Sequence, residues 1–242
     1  MVVDWRASSR EIAARQPGTA LINLASVEQH GPHLPVGTDY LIGQAIAAEV
    51  ARRLDAYLLP SLPVGTCQEH LGGAGTVWIG PETLFSLVRD LCLSLGRQGF
   101  RRIAFLLSHG GLWMVKPAVR EVNLNHPGLT VIWTHTYDHL RTSAPILESA
   151  GMDLHAGESE TSLLLHLHPD LVRMDLAVDH QPGVGREYLD YLPCLAVCPD
   201  GVWGQPTLAS ADKGRRLFEA MVAGLVEYCR ATFEMVEKTK GE

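Results

Sequence analysis

The sequence has 242 residues, of which 46% are hydrophobic and 7% aromatic, and its formal net charge is −7. This composition suits a globular protein with a substantial core. The acidic balance, without a run of about five or six like charges, argues against a nucleic-acid or polybasic-membrane partner. No apolar run has the length of a membrane span, and the first residues lack the apolar core of a signal peptide, so we expect a cytoplasmic protein.

The predicted elements alternate between helices and strands. In chain order they are helix 9–15, strand 21–27, helix 40–54, strand 56–63, helix 81–97, strand 101–107, helix 114–125, strand 129–134, a helix that begins within 155–166, and a long C-terminal helix 207–238. This alternation favours one α/β domain over residues 1–242 with a mainly parallel sheet. The five cysteines show no CxxC spacing, so we expect free thiols.

The first predicted strand is followed by a group of possible metal ligands. Glu28 and His30 are two positions apart and point the same way on extended backbone. The Gly- and Pro-containing loop after His30 is long enough to bring Asp39 back to them. Two carboxylates and an imidazole suit divalent Zn, Mn or Fe. The alternative is that Asp39 only caps the next helix and His30 is a hydrogen-bonded turn residue, and these residues alone leave both interpretations open.

Histidines and acids recur at later strand ends and helix starts. They are Glu69 and His70 in a glycine-rich loop, His109 after strand 101–107, and His155, Glu158 and Glu160 at the start of a helix. The helix dipole also favours acids in a first turn, which is a sufficient structural explanation for Glu158 and an alternative one for Glu160. His155 has an alternative as a structural cap. We expect four further histidines to be structural or surface residues, namely His135, His139, His166 and His168.

Three stretches, in this order and spacing, resemble the creatininase (creatinine amidohydrolase) family. They are residues 26–39, with Glu-Gln-His-Gly-Pro-His at their centre, residues 109–111 and residues 155–162. Segments 69–76 and 201–214 resemble further parts of the family, so the likeness spans nearly the whole chain. It implies a three-layer α/β/α fold with a mainly parallel central sheet, two divalent metal ions per chain, and hydrolysis of C–N bonds in linear or cyclic amides. It also implies a homo-oligomer, hexameric or of another size.

The resemblance implies roles for individual residues. One metal ion would be held by Glu28 and His109, the other by His30, with Asp39 bridging them and Glu160 as the fifth ligand. His155 would lie beside the metal ions as a proton donor or substrate contact. We expect three further residues to contact substrate, namely Glu69, His70 and Trp113, and for Glu69 and His70 a purely structural role in their loop is an equal alternative.

The sequence departs from the family pattern around His109. Leu107 and Leu112 stand where many relatives have asparagines, and Gly111 stands where creatininase itself has a metal-binding glutamate, which makes Glu160 the expected substitute. The apolar stretch 112–114 favours a substrate larger or less polar than creatinine, such as a lactam, another cyclic amide or a peptide end. The lost polar groups leave a second interpretation, a non-catalytic metal or small-molecule binding protein, whereas the full ligand set with His155 favours a hydrolase.

Overall fold

The computed structural model describes residues 3–138, 146–149 and 153–241. Within these ranges the strands are β1 (Thr19–Leu24), β2 (Tyr57–Leu58), β3 (Arg102–Leu107) and β4 (Thr130–His135). The α-helices are α1 (Ser9–Arg15), α2 (Thr38–Leu54), α3 (Pro81–Arg97), α4 (Val115–Asn125), α5 (Glu158–Leu167), α6 (Cys194–Val197) and α7 (Ala211–Lys240). No helix in the described ranges is long and apolar enough to cross a membrane.

The four strands form a parallel sheet in the order β2-β1-β3-β4. The pairing between β1 and β3 ends with Leu24 beside Leu107, and the pairing between β3 and β4 ends with Leu107 beside His135. The carboxyl ends of three strands therefore lie at one edge of the sheet. This confirms the expected parallel architecture, and it brings the residues that follow β1 and β3 close together.

Helices cover both faces of the sheet. Alternate strand residues belong to different hydrophobic clusters: Leu21 and Ala104 pack with residues of α2, α5 and α7, whereas Ile22 and Phe105 pack with residues of α3 and α4. Because successive strand residues point to opposite faces, two separate apolar layers result. The expected three-layer α/β/α fold is confirmed.

Several predicted boundaries shift where the backbone hydrogen bonds leave the sheet. Strand β1 ends at Leu24 because the Ala25 N–H donates to Leu62 (2.9 Å) and not to β3. The predicted strand 56–63 is reduced to two residues, and Pro60 and Pro63 in this stretch cannot donate to a ladder. The C-terminal helix begins at Ala211, four residues later than predicted, because Ser210 caps it.

Helices α5 and α7 approach each other closely at Gly214. A Cβ atom added there would lie 1.8 Å from the Ser162 carbonyl oxygen, which belongs to the backbone of α5. Only glycine permits this approach. Since α5 also carries Glu160, this contact between the two helices helps to set the position of that acid relative to the sheet.

Replacing Gly214 by alanine should destabilise the protein, by on the order of 1–3 kcal/mol, because one of the two helices must move. In an ordinary helix interior the same change stabilises by about 0.5–1 kcal/mol, so the sign of the effect is informative. Urea unfolding measures it. The matched control is Gly18→Ala, whose added Cβ has no neighbour within 4 Å. A Gly214→Ala variant as stable as the parent would contradict the close approach.

Candidate metal centre

A cavity of about 410 Å³ opens at the carboxyl edge of the sheet. Its wall includes seven of the residues singled out in the sequence: Glu28, Asp39, Glu69, His70, His109, His155 and Glu160. His30 is buried beside Asp39 without lining the cavity itself. The carboxyl edge is where open α/β sheets place their sites. The four segments that carry these residues are far apart in sequence and meet here because the strands are parallel and in register.

Asp39 occupies the centre of the cluster. It is the second residue of α2, and Gly37 is the N-cap, so the alternative that Asp39 is only a cap is wrong. Its Oδ1 atom lies 3.4 Å from His30 Nε2, and its Oδ2 atom lies 3.1 Å from His109 Nδ1. The Ser26 hydroxyl donates to Oδ2 at 2.7 Å. Burial would raise the pKa of Asp39, but the two neighbouring imidazoles lower it well below its usual range.

His30 presents one ring nitrogen to the acids. Its Nδ1–H donates to the Glu28 carbonyl at 3.1 Å, which leaves Nε2 directed at Asp39 and at Glu160 Oε2, 3.7 Å away. Nε2 is buried and has no hydrogen-bond partner among the described residues. Burial lowers the pKa of His30, but the carboxylates of Asp39, Glu160 and Glu28 outweigh this effect and raise it to about 10. Three acids around one imidazole constitute a site that attracts a cation.

Gln29 and His70 hold the Glu28 carboxylate. The Gln29 Oε1 atom accepts from the Gly31 N–H at 3.0 Å, so its amide nitrogen faces His70 Nδ1, also at 3.0 Å, and donates to it. The His70 proton is therefore on Nε2, which lies 3.2 Å from Glu28 Oε1. The other oxygen, Oε2, lies 3.1 Å from His109 Nδ1 and has no hydrogen-bond partner among the described residues. His70 thus orients a carboxylate whose second oxygen is free for a metal ion.

Glu160 lies in the first turn of α5 and points into the cavity. Its Oε2 accepts from the Ala156 N–H at 2.6 Å, and its Oε1 lies 3.5 Å from the Tyr137 hydroxyl. Ala156 adopts a left-handed conformation with φ of 51°, a strained state that is most common at functional sites. Burial and the nearby Asp39 raise the pKa of Glu160 to about 8, against the opposing effect of His30. Glu160 is buried, so it is not a surface acid placed by the helix dipole alone.

His155 lies beside the Glu28 carboxylate and the rings of His30 and His70. Its Nε2–H donates to the Gln29 carbonyl at 2.7 Å, and its Nδ1 lies 3.7 Å from Glu28 Oε1. The ring centroid is 4.3 Å from that of His30 and 4.2 Å from that of His70. Burial lowers the pKa of His155 well below its usual value, and both neighbouring imidazoles act in the same direction. These effects favour the neutral form of the ring, whose Nδ1 atom faces Glu28.

Trp113 is not brought to the cavity. It lies outside the cavity wall and is 59% exposed, while the preceding Leu112 is buried and packs near Gly65. Of these two neighbours, only Trp113 is exposed to solvent. The expectation that Trp113 contacts substrate therefore has no support in the geometry, and residues 112–114 carry no information on substrate size.

Other residues of the site have roles that the sequence did not indicate. Gln29 does not line the cavity but contacts His70; it is one position from Glu28 and from His30, and on extended backbone its side chain is expected to point away from theirs. His135 was expected to be structural or on the surface and instead lines the cavity, together with Tyr137, Arg186 and Trp203. Apart from Trp203, which lies in segment 201–214, these residues belong to no motif identified in the sequence, so the sequence carried no specific signal for them. His139 lies outside the described residues.

The donors present fit divalent metal ions. Glu28, Asp39 and His109 offer ligand atoms that all lie within 4.8 Å of one another, and His30 and Glu160 extend the group on the other side of Asp39. The set is composed of oxygen and imidazole nitrogen, which suits Zn or Mn. The buried, unpartnered Glu28 Oε2 and His30 Nε2 supply an independent argument, because such atoms are costly without a partner. Fold and site together define an α/β protein with a carboxylate–histidine centre of the kind found in metal-dependent hydrolases.

The chain belongs to the creatininase family and is a hydrolase of that family, since the family model described as creatinine amidohydrolase matches residues 5–229. It is 38% identical over 221 residues to a mycofactocin precursor peptide peptidase of Mycobacterium ulcerans, covering 84% of this chain and 80% of that protein. It is 30% identical over 250 residues to a creatinine amidohydrolase of Pseudomonas putida, covering 95% of each.

Solved creatininase structures share the fold. One described as a manganese form has a TM-score of 0.83, with 28% identity over 96% of this chain and 99% of that chain. A mutant described as Zn-Zn type has a TM-score of 0.83 with 27% identity and the same coverage. These similarities confirm the resemblance found in the sequence.

Glu158, two positions before Glu160, has a different role. Its carboxylate accepts from the backbone N–H groups of Glu148 (2.9 Å) and Ser149 (2.8 Å) and forms an ion pair with Lys213 of α7. It is fully buried and lies outside the cavity wall. Glu158 therefore holds α5 to its surroundings, as the structural explanation predicted, although through an ion pair and not only through the helix dipole.

The two acids of α5 should respond differently to the same substitution. Glu158→Gln should lower the free energy of unfolding by on the order of 1–3 kcal/mol, because Lys213 loses its buried partner, and should leave zinc affinity unchanged. Glu160→Gln should weaken zinc binding with a smaller effect on folding. Urea unfolding of the metal-free proteins and zinc titration of both variants check this. Equal loss of zinc affinity in the two variants would show that the roles are not separate.

Proposed function

We propose that this protein is a metal-dependent amidohydrolase that cleaves a C–N amide bond of a peptide end or a cyclic amide with the help of two divalent metal ions, Zn, Mn or Fe. The observation that carries the proposal is the position of the Asp39 carboxylate, with one oxygen directed at His30 and the other at His109. A carboxylate between two imidazoles, each accompanied by a further acid, offers ligand atoms for two cations on its two sides.

Each residue then has a defined task. Glu28, Asp39 and His109 would hold one ion, and His30, Asp39 and Glu160 the other. When bound, such ions lower the pKa of a water molecule and polarise a carbonyl oxygen. His70 and Gln29 keep Glu28 in place through the hydrogen bonds described above. His155 is neutral, so its Nδ1 can take up a proton in the cavity and return it to the leaving amine.

The cavity favours a substrate larger than creatinine. Its volume of about 410 Å³ is within the range of pockets for drug-sized ligands. Besides the acids of the metal site, four apolar residues line the cavity, namely Leu147, Leu154, Leu189 and Trp203. The similar protein from M. ulcerans is named a peptide peptidase. We therefore propose a peptide end as the first choice and a lactam or other cyclic amide as the second.

The activity can be tested directly with metal-loaded protein. The protein should bind about two zinc or manganese ions per chain. In this metal-loaded form it should release amine from short peptides or lactams in preference to creatinine. Activity should disappear in chelator and return on addition of metal. The Asp39→Ala variant is the inactive control, because it should lose both ions. Full activity in chelator, or silence on every C–N substrate while two ions are bound, would contradict the proposal; the second result favours a non-catalytic binding protein.

His155 can be separated from the metal ligands. The His155→Ala variant should keep its metal content and lose turnover by about a hundred- to ten-thousand-fold, the usual contribution of an acid–base group. Metal analysis and steady-state kinetics of the same preparation measure both effects. His155 also lies within ligand distance of Glu28 and His70, and of His30 and Glu160. Loss of metal from this variant would therefore reassign His155 as a ligand.

A further inference from the structure

The two ring nitrogens of His109 lie in different surroundings. Nδ1 is 3.1 Å from both Asp39 Oδ2 and Glu28 Oε2. Nε2 is buried, has no hydrogen-bond partner among the described residues, and lies 3.3 Å from Glu69 Oε1. A histidine can offer the Nδ1 lone pair to a metal ion only when its proton is on Nε2. A buried N–H needs an acceptor, and metal-binding histidines usually donate their second N–H to an oxygen that fixes the ring.

His30 shows how this requirement is met elsewhere in the same cluster. Its outer nitrogen, Nδ1, donates to the Glu28 carbonyl, so a backbone oxygen selects the form of the ring that leaves Nε2 free. The described residues offer His109 no backbone acceptor for Nε2. The group that approaches this nitrogen is the Glu69 carboxylate, on the side of the ring opposite to Asp39 and Glu28.

Gly111 makes room for this carboxylate. A Cβ atom added at position 111 would lie 2.0 Å from Glu69 Oε1, 2.5 Å from His109 Nε2 and 2.8 Å from the Thr66 carbonyl oxygen. The Thr66 hydroxyl donates to the Gly111 carbonyl at 2.6 Å and holds the turn in this position. A side chain at position 111 and the observed position of Glu69 therefore exclude each other. The acid on this side of His109 comes from the 3₁₀ turn Gln68–His70.

We propose that Glu69 is a positioning residue: it accepts a hydrogen bond from His109 Nε2–H and so holds the Nδ1 lone pair toward Glu28 and Asp39 for a divalent metal ion. This inference rests on the metal site of the proposed function. It replaces the expectation that Glu69 contacts substrate. Glu69 is not itself a ligand in this arrangement, because it lies on the far side of the imidazole ring from the other donors.

The first test is zinc affinity, measured by competition with a chelator of known affinity. Glu69→Ala should weaken binding at one of the two sites by about 10- to 100-fold, the usual effect of removing such a partner. Glu69→Gln should retain most of the affinity, because the amide oxygen can still accept from Nε2–H. The matched control is Asp138→Asn, which removes a charge from the same cavity wall at a residue that interacts electrostatically with His135. The zinc affinity of the Asp138→Asn variant should equal that of the parent protein. Thermal unfolding of the metal-free variants verifies that each is folded.

The second test uses cobalt(II) and detects the proton itself. In proton NMR spectra of the Co²⁺-loaded protein, the ring N–H of a coordinated histidine gives a strongly shifted, exchangeable signal. The His109 signal, assigned with a His109→Gln variant, should be present in the parent and in Glu69→Gln. It should exchange rapidly and be lost in Glu69→Ala.

The possible outcomes separate this inference from the proposed function. Failure of the parent protein to bind zinc or cobalt would overturn the metal site and the inference together. Tight binding by the parent and equal affinity of Glu69→Ala would overturn the inference alone. If Glu69→Gln is as weak as Glu69→Ala while the His109 N–H signal persists, Glu69 is a ligand or a purely electrostatic neighbour, and the positioning role is wrong.

Discussion

The buried carboxylate of Asp39 is the constraint on which the rest of the site depends. An acid removed from water is stable only when opposite charge or hydrogen-bond donors surround it, and here His30, His109 and Ser26 supply them. Each imidazole is in turn approached by another acid, so positive and negative groups alternate through the cluster. Metal ions fit the same pattern, because they replace protons on these imidazoles and neutralise the excess of carboxylates.

The sheet explains why such a cluster can form. Residues 28–39 follow β1 and His109 follows β3, and these two strands are hydrogen-bonded over their whole length with Leu24 beside Leu107. A parallel pair delivers both loops to the same edge. A further contribution, Glu160, comes from α5, whose position depends on its contact with α7 at Gly214 and on the ion pair between Glu158 and Lys213. Parts of the protein far from the cavity thus set the distances within it.

Much of this arrangement could be predicted from residue order. Apolar runs alternating with helical periodicity indicated the parallel sheet, and Pro81 at a helix start and an acid after it located α3 correctly. The Glu28–His30 spacing and the family-like motifs led to five candidate ligands, which the structure places together. Trp113 is four positions from His109 in the sequence but does not line the cavity, because proximity along the chain does not ensure proximity in space. Between Gly110, which lines the cavity, and the exposed Trp113 lie two buried residues, Gly111 and Leu112.

The sequence by itself determined the fold class, the family and the identity of the metal-ligand candidates, because these depend on periodicity and on short motifs whose residues are close along the chain. The tertiary structure alone decided which nitrogen of each histidine faces the acids. That choice depends on partners such as the Glu28 carbonyl for His30 and the Glu69 carboxylate for His109. It also showed that Glu158 is structural whereas Glu160 lines the cavity. Both distinctions are set by the direction of a side chain, which contacts between distant segments impose and local sequence does not encode.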